Sequence, residues 1–191
     1  MVDVDSPSRT PTQEVPVGDP IRPQTEHYFL DFEFDEDGRT IDPISLGMVT
    51  LGGRSLYIEF DFDERKVRQN EWVWRNVVPK LTWPSDKRLS ISKARAQILE
   101  FVSPETTPSF FGFYADYDWV LFCRLFGRMV DLPSYFPHLC MDLQQWYVQL
   151  GQPAGVKPAD PEGEHNALVD AMWNADFYRS LQLFVTTGAR E

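Results

Sequence analysis

Apolar positions begin to recur in a regular pattern only from about His27. Residues 28–34 form an aromatic and aliphatic run broken by Asp31 and Glu33, and the turn-forming Asp35-Glu36-Asp37-Gly38 follows. The run is short and aromatic-rich, which predicts a central strand. Residues 44–51 form a second apolar run, closed by Gly52-Gly53, a pair suited to a hairpin turn. Residues 55–62 alternate as a third strand, so the first three strands read as an antiparallel meander. Residues 65–78 then have helical spacing and stop at Pro79, and Ser90 or Ser92 can cap a further helix to about Val102. A short buried strand over 109–114, a helix over 116–128, a strand over 138–141, a helix through Leu150 and a last helix from His165 to about Phe184 complete the pattern. The Pro/Gly-rich segment 151–164 is long enough for a functional loop rather than a mere connector. Three strands followed by alternating strands and helices predict the α/β class, a mixed sheet covered by helices.

Residues 1–26 carry five of the fifteen prolines and no apolar periodicity. They are expected to form a flexible tail, which leaves 27–191 as one domain. A hydrophobic share of 42% and an aromatic share of 14% exclude a disordered or fibrous chain. No apolar stretch approaches the ~18 residues of a membrane span, and the first residues lack the basic-then-apolar order of a secretory leader. Cys123 and Cys140 sit in apolar company and read as buried thiols rather than a disulfide or metal pair. A cytoplasmic protein is the expectation.

The net charge of −11 argues at first against a polyanionic partner. The distribution changes that picture. Between Arg65 and Arg95 nine basic residues face only Glu71 and Asp86, so this segment is +7 and the rest of the chain −18. Trp72, Trp74 and Trp83 are interleaved with those charges, an arrangement that can hold phosphates and stack bases. A solvated amphipathic surface with core tryptophans accounts for the same pattern equally well.

Three segments carry candidate chemistry. In Asp31-Phe32-Glu33, strand alternation turns both carboxylates to one face and Leu30, Phe32 and Phe34 to the other. Two neighbouring acids in a hydrophobic strand need compensation, and a divalent cation supplies it. Asp-x-Glu alone is common, and two solvated acids at an exposed strand end explain it more readily. In Tyr114-Ala115-Asp116-Tyr117-Asp118, a strand end meets a helix start, where the helix dipole favours negative charge; helix capping by Asp116 is the plain alternative. In His165-Asn166-Ala167-Leu168-Val169-Asp170-Ala171, small residues flank an acid on one helical face, and His165 can swing over it from the loop. His27 and His138 have no assigned role.

Together the three segments resemble the DEDDh 3′-5′ exonuclease superfamily. Its motifs are Asp-x-Glu on the first strand, an Asp after an aromatic at a strand-to-helix junction, and a His followed five positions later by Asp. Here these are Asp31 and Glu33, Tyr117-Asp118, and His165 with Asp170. The opening 28–34, with Glu36-Asp37-Gly38, Ile44-Ser45-Leu46-Gly47, Trp72-Val73 and Val77-Val78-Pro79-Lys80, is closer still to the mycobacterial and phage 3′-5′ exoribonucleases of the polyadenylate-specific exoribonuclease AS kind. The likeness spans about 27–185. Phe34 and Tyr114 depart from the Thr and Asn that many superfamily members carry, which weakens assignment to the proofreading branch more than assignment to catalysis.

The resemblance implies a ribonuclease H-like three-layer α/β/α fold, its five-stranded sheet ordered 3-2-1-4-5 with strand 2 antiparallel. It also implies two divalent cations, Mg²⁺ or Mn²⁺, about 4 Å apart. Asp31 would bridge them, Glu33 and Asp170 would complete the ion that activates water, and Asp118 would support the ion beside the leaving group. His165 would be the general base, and an imidazole's ordinary pKa of about 6.5 suits that task. The partner would be the single-stranded 3′ end of RNA, with nucleoside 5′-monophosphates released and a homodimer expected. DNA as substrate, or a catalytically silent RNA-binding module, are the other readings.

Overall fold

The computed structural model describes residues 24–188, so nearly all of the expected tail lies outside the described residues. Its sheet holds β1 (Thr25–Glu36), β2 (Ile41–Thr50), β3 (Ser55–Glu59), β4 (Thr107–Gly112) and β5 (Cys140–Asp142), in the order β3-β2-β1-β4-β5. β2 runs antiparallel to both β1 and β3, whereas β4 is parallel to β1 and β5 to β4. The fold is therefore α/β with a mixed open sheet of the expected order. Among the described residues six α-helices accompany it: α1 (Glu64–Val67), α2 (Glu71–Asn76), α3 (Ile91–Phe101), α4 (Asp116–Phe126), α5 (Leu143–Gln149) and α6 (Ala167–Thr187). Among the described residues, no helix is long and apolar enough to cross a membrane.

Alternation along β1 builds two cores. Tyr28, Leu30 and Phe32 pack with Leu46, Met48 and Ile58 against Ala94 and Ile98 of α3 and Leu121 and Phe122 of α4. Phe29 faces the other way, with Val49 and Phe111 against Ala171, Ala175 and Phe177 of α6 and Leu143 of α5. Each fully buried Phe or Leu contributes roughly 1.5–3 kcal/mol relative to an exposed one. With apolar layers on both faces, β1 is a rigid support for whatever its Asp31 and Glu33 do.

The expected helix over 65–78 is instead two short helices and a 3₁₀ turn over Val78–Lys80. Asn70 makes the break. Its side chain accepts from the Val73 N–H and so caps α2, and it donates to the buried Asp35 Oδ1 at 2.9 Å. The apolar spacing that looked continuous is real in another sense: Val67, Val73 and Val77 all pack on Ile44. Ile44 lies where the β1–β2 register slips, between Glu33 opposite Ser45 and Phe34 opposite Pro43. The bulge thus sits beside Glu33, and α2 docks next to it.

Other boundaries also move. β3 ends at Glu59; Phe60 still donates its N–H to the Ile44 carbonyl but pairs only as an isolated bridge with Leu89. α4 stops at Phe126, where Gly127 takes φ 120°. α6 begins at Ala167, since Asn166 accepts from the Leu168 and Val169 N–H groups; His165 lies outside the helix.

Candidate active site

Past the last β1–β4 ladder pair, Phe29 with Phe111, β4 turns away into α4 and leaves groups of β1 without strand partners. Two side chains take their place. Asp118, in the first turn of α4, accepts from the Phe32 N–H through Oδ1 at 2.9 Å. Asn174 of α6, buried, donates to the Leu30 carbonyl at 3.0 Å. Asp118 and α6 are thereby fixed to the same stretch of backbone that carries Asp31 and Glu33. Asp142 fixes α4 further, since its Oδ2 accepts from Ala115 N–H at 2.7 Å and its Oδ1 caps α5. Asp116 makes no capping bond; Ala115 holds the N-cap position.

α6 reaches the sheet through Gly47, which lies opposite Asp31 in the register. A Cβ there would lie 2.1 Å from the Ala167 carbonyl oxygen and 2.5 Å from Leu168 Cα. Only a residue without a side chain admits this approach, which brings Asp170 over Asp31 and Glu33. Gly47→Ala is therefore expected to destabilise the fold by about 3 kcal/mol, at the upper end of overpacking effects, and to lower hydrolytic activity as α6 is displaced. Denaturant unfolding checks this; a loss below about 1 kcal/mol would show that α6 can shift at little cost.

Carboxylate oxygens of Asp31, Glu33 and Asp170 lie within 4.8 Å of one another. They line a cleft of about 530 Å³ together with Asp118 and His165. All five sequence-derived candidates thus share one cleft, but Asp118 stands outside the tight trio and spends one oxygen on Phe32. His165 sits at φ 68° in the left-handed region, and its backbone N–H donates to Asp170 Oδ2 at 2.9 Å. Its imidazole meets the Trp72 ring edge-to-face at 4.8 Å.

The electrostatics are lopsided. Seven acids line the cleft, among them Glu36, Asp160 and Glu164, which the sequence did not single out; no Lys or Arg does among the described residues. Burial, then Asp118, Glu33 and Asp170, hold the Asp31 carboxyl well above the usual carboxylate range. Burial, then Asp170, Asp118 and Glu164, push Glu33 up to about 8. Burial pushes Asp118 up to about 7 against the Phe32 N–H. Burial likewise raises Asp170 to about 6, opposed by the His165 N–H. Such a site has unmet demand for positive charge. Closely spaced oxygen donors with no nitrogen or sulfur among the trio fit a hard divalent cation such as Mg²⁺ or Mn²⁺.

Four of the nine basic residues over 65–95 are paired with acids locally: Lys66, Arg75, Lys87 and Arg88. Lys66 pairs with Asp37 and Asp42, Arg75 with Glu71, and Arg88 with Glu59 and Glu64, while Arg68 lies over Trp74. Trp74 packs beside the Ile44 cluster and Trp83 against Tyr57; of the three tryptophans, only Trp72 lines the cleft. Aromatic surface comes instead from elsewhere, notably Tyr117 stacked on Phe34 at 5.5 Å and the strongly exposed Tyr114 at φ 54°. The loop 151–164, which gives Asp160, Pro161 and Glu164 to the cleft, is tied down by side chains of the helices and β4–α4 junction: Trp173 Nε1 donates to the Ala159 carbonyl, Tyr147 to the Pro153 carbonyl, and Lys157 lies over Phe113.

Residues 26–182 match the family described as the 3′-5′ exoribonuclease Rv2179c-like domain. Two curated relatives, 3′-5′ exoribonuclease Rv2179c of Mycobacterium tuberculosis strain H37Rv and 3′-5′ exoribonuclease MT2234.1 of strain CDC 1551, are each 36% identical over 164 residues. Those alignments cover 84% of this chain and 94% of the relative.

Proposed function

The chain belongs to the 3′-5′ exoribonuclease Rv2179c-like domain family, and from that premise we propose that it is a two-metal-ion 3′-5′ exoribonuclease of the DEDDh type. The observation that carries the metal reading is the meeting of Asp31, Glu33 and Asp170 oxygens within 4.8 Å in a cleft lined by acids. The relatives' names support RNA as the substrate class.

Asp31, Glu33 and Asp170 would hold the cations, with the free oxygen of Asp118 in support. Bound there, divalent ions supply charge for the phosphodiester, a more acidic water and support for the departing 3′-oxygen. The acids draw those ions in because they are otherwise held as mutually repelling, poorly solvated carboxylates. His165 takes the proton from the attacking water through its imidazole. The water oxygen bonds to phosphorus as the bond from phosphorus to the 3′-oxygen breaks, leaving a shortened chain with a 3′-hydroxyl and one nucleoside 5′-monophosphate. Asp170 orients this base indirectly, since it accepts from the His165 backbone N–H. The stack of Phe34 and Tyr117 at the cleft gives terminal bases an aromatic surface.

A 5′-labelled RNA oligonucleotide incubated with the protein and Mn²⁺ or Mg²⁺ is expected to yield a ladder shortening from its 3′ end, abolished by EDTA. A gel shift without shortening would remove the catalytic reading. Faster shortening of the matched DNA would move the substrate to DNA, because discrimination depends on contacts to the 2′-hydroxyl.

A further inference from the structure

We propose that Trp72 is a positioning residue that holds the His165 imidazole at the carboxylate cleft; this rests on His165 serving as the base. Among the described residues, the imidazole makes no hydrogen bond, and the tie between His165 and Asp170 runs through the backbone. What locates the ring is its edge-to-face contact with the Trp72 indole, 4.8 Å between centroids at 78°. His165 follows a loop and occupies the left-handed region, so nothing local to its own segment fixes the side chain.

Trp72 is 55% exposed. A core role does not account for so large an apolar side chain at the surface of a six-residue helix. α2 itself is held firmly: Asn70 caps it and donates to Asp35 at the end of β1, and Val73 packs on Ile44 beside the bulge. The same segment grips the neighbouring residue as well, since Asn166 Nδ2 donates to the Lys80 carbonyl at 3.2 Å. Residues 70–80 therefore form a brace. It runs from the strand that bears Asp31 and Glu33 to the two residues that precede α6, and Trp72 is its contact with the imidazole.

An exposed indole in a cleft could instead serve as a platform for a base. The two roles separate kinetically: a platform acts on substrate binding, a brace on the reacting geometry. In the full-length chain, Trp72→Leu keeps apolar bulk but removes the aromatic face, and Trp72→Phe keeps a smaller one. Trp72→Leu is expected to lower kcat on an RNA oligonucleotide about 10- to 100-fold, the range for a catalytic group displaced by about an ångström. KM should stay within about threefold, and Trp72→Phe should recover most of kcat. In ¹H–¹³C spectra the chain's three histidines give few ring signals; the pair absent from His165→Ala should move in Trp72→Leu as the indole ring current is lost. An unchanged kcat, a loss confined to KM, or His165 signals that do not move would each overturn the brace. If His165→Ala keeps wild-type kcat, the base assignment fails and the brace with it. If His165→Ala is inactive while Trp72→Leu is not, the brace alone fails.

Discussion

Asp31→Asn is expected to lower RNA hydrolysis by about 10³-fold or more, since on the proposed mechanism several kcal/mol of transition-state stabilisation would depend on cations that this carboxylate would help to hold. The same substitution is expected to raise the melting temperature of the metal-free protein at pH 8. Asp31, Glu33, Asp118 and Asp170 are all held above the usual carboxylate range. The folded metal-free chain therefore binds protons more tightly than the unfolded chain. Stability from these groups is complete below their ordinary values near 4, and it is lost as pH rises through about 6 for Asp170, about 7 for Asp118 and about 8 for Glu33. Asparagine is nearly isosteric with the protonated acid, so wild type and variant should melt alike at pH 5 and part as pH rises. Divalent cation should reverse the order by raising the wild-type melting temperature at pH 8 and the variant's far less. Thermal melts at the two pH values, with and without Mn²⁺, check all of this. A variant that retains activity within tenfold, or melts lower than wild type when metal-free, would remove the shared-cation account.

The expected combination of lost activity and gained stability follows from the way β1 is held. Two apolar cores clamp β1 from both faces, so Asp31 and Glu33 cannot relax away from each other or from Asp170. The fold holds like charges together, and that enforced proximity is what a cation can exploit.

The acids were legible in the sequence because their placement follows from local periodicity. Alternation in a strand fixes Asp31 and Glu33 on one face, and the first turn of a helix fixes Asp118 and Asp170 relative to their own backbones. The supporting residues were less legible, because their roles come from where distant segments meet. Asn174 lies one helical turn beyond Asp170 and so shares its face, but only the divergence of β4 leaves the Leu30 carbonyl for it to satisfy. Gly47 inside an apolar strand is the kind of position where another backbone passes close, yet the strand pattern does not say which one. Asn70 has the chemistry of a helix cap, but the valine spacing on either side of it hid the break. The excess charge over 65–95 left two readings open, and the structure spends part of it locally: Lys66, Arg75, Lys87 and Arg88 find acids and Arg68 an aromatic ring.

His165→Ala separates catalysis from cation binding. The bond from His165 to Asp170 is made by the backbone N–H, which alanine keeps, and His165 is outside the trio whose oxygens converge. The cation-induced rise in melting temperature should therefore survive, while kcat falls about 10²- to 10⁴-fold, the usual contribution of a general base. Alanine could also disturb the left-handed backbone at this position, where φ is 68°. His165→Asn controls for that, because asparagine adopts the left-handed region readily and cannot serve as the base. Both variants should be equally impaired, and the asparagine variant should be the more stable in melts. If the asparagine variant recovers activity, the left-handed turn that orients Asp170 matters and the imidazole does not; if both variants lose the cation-induced rise as well, His165 belongs to the cation site rather than beside it.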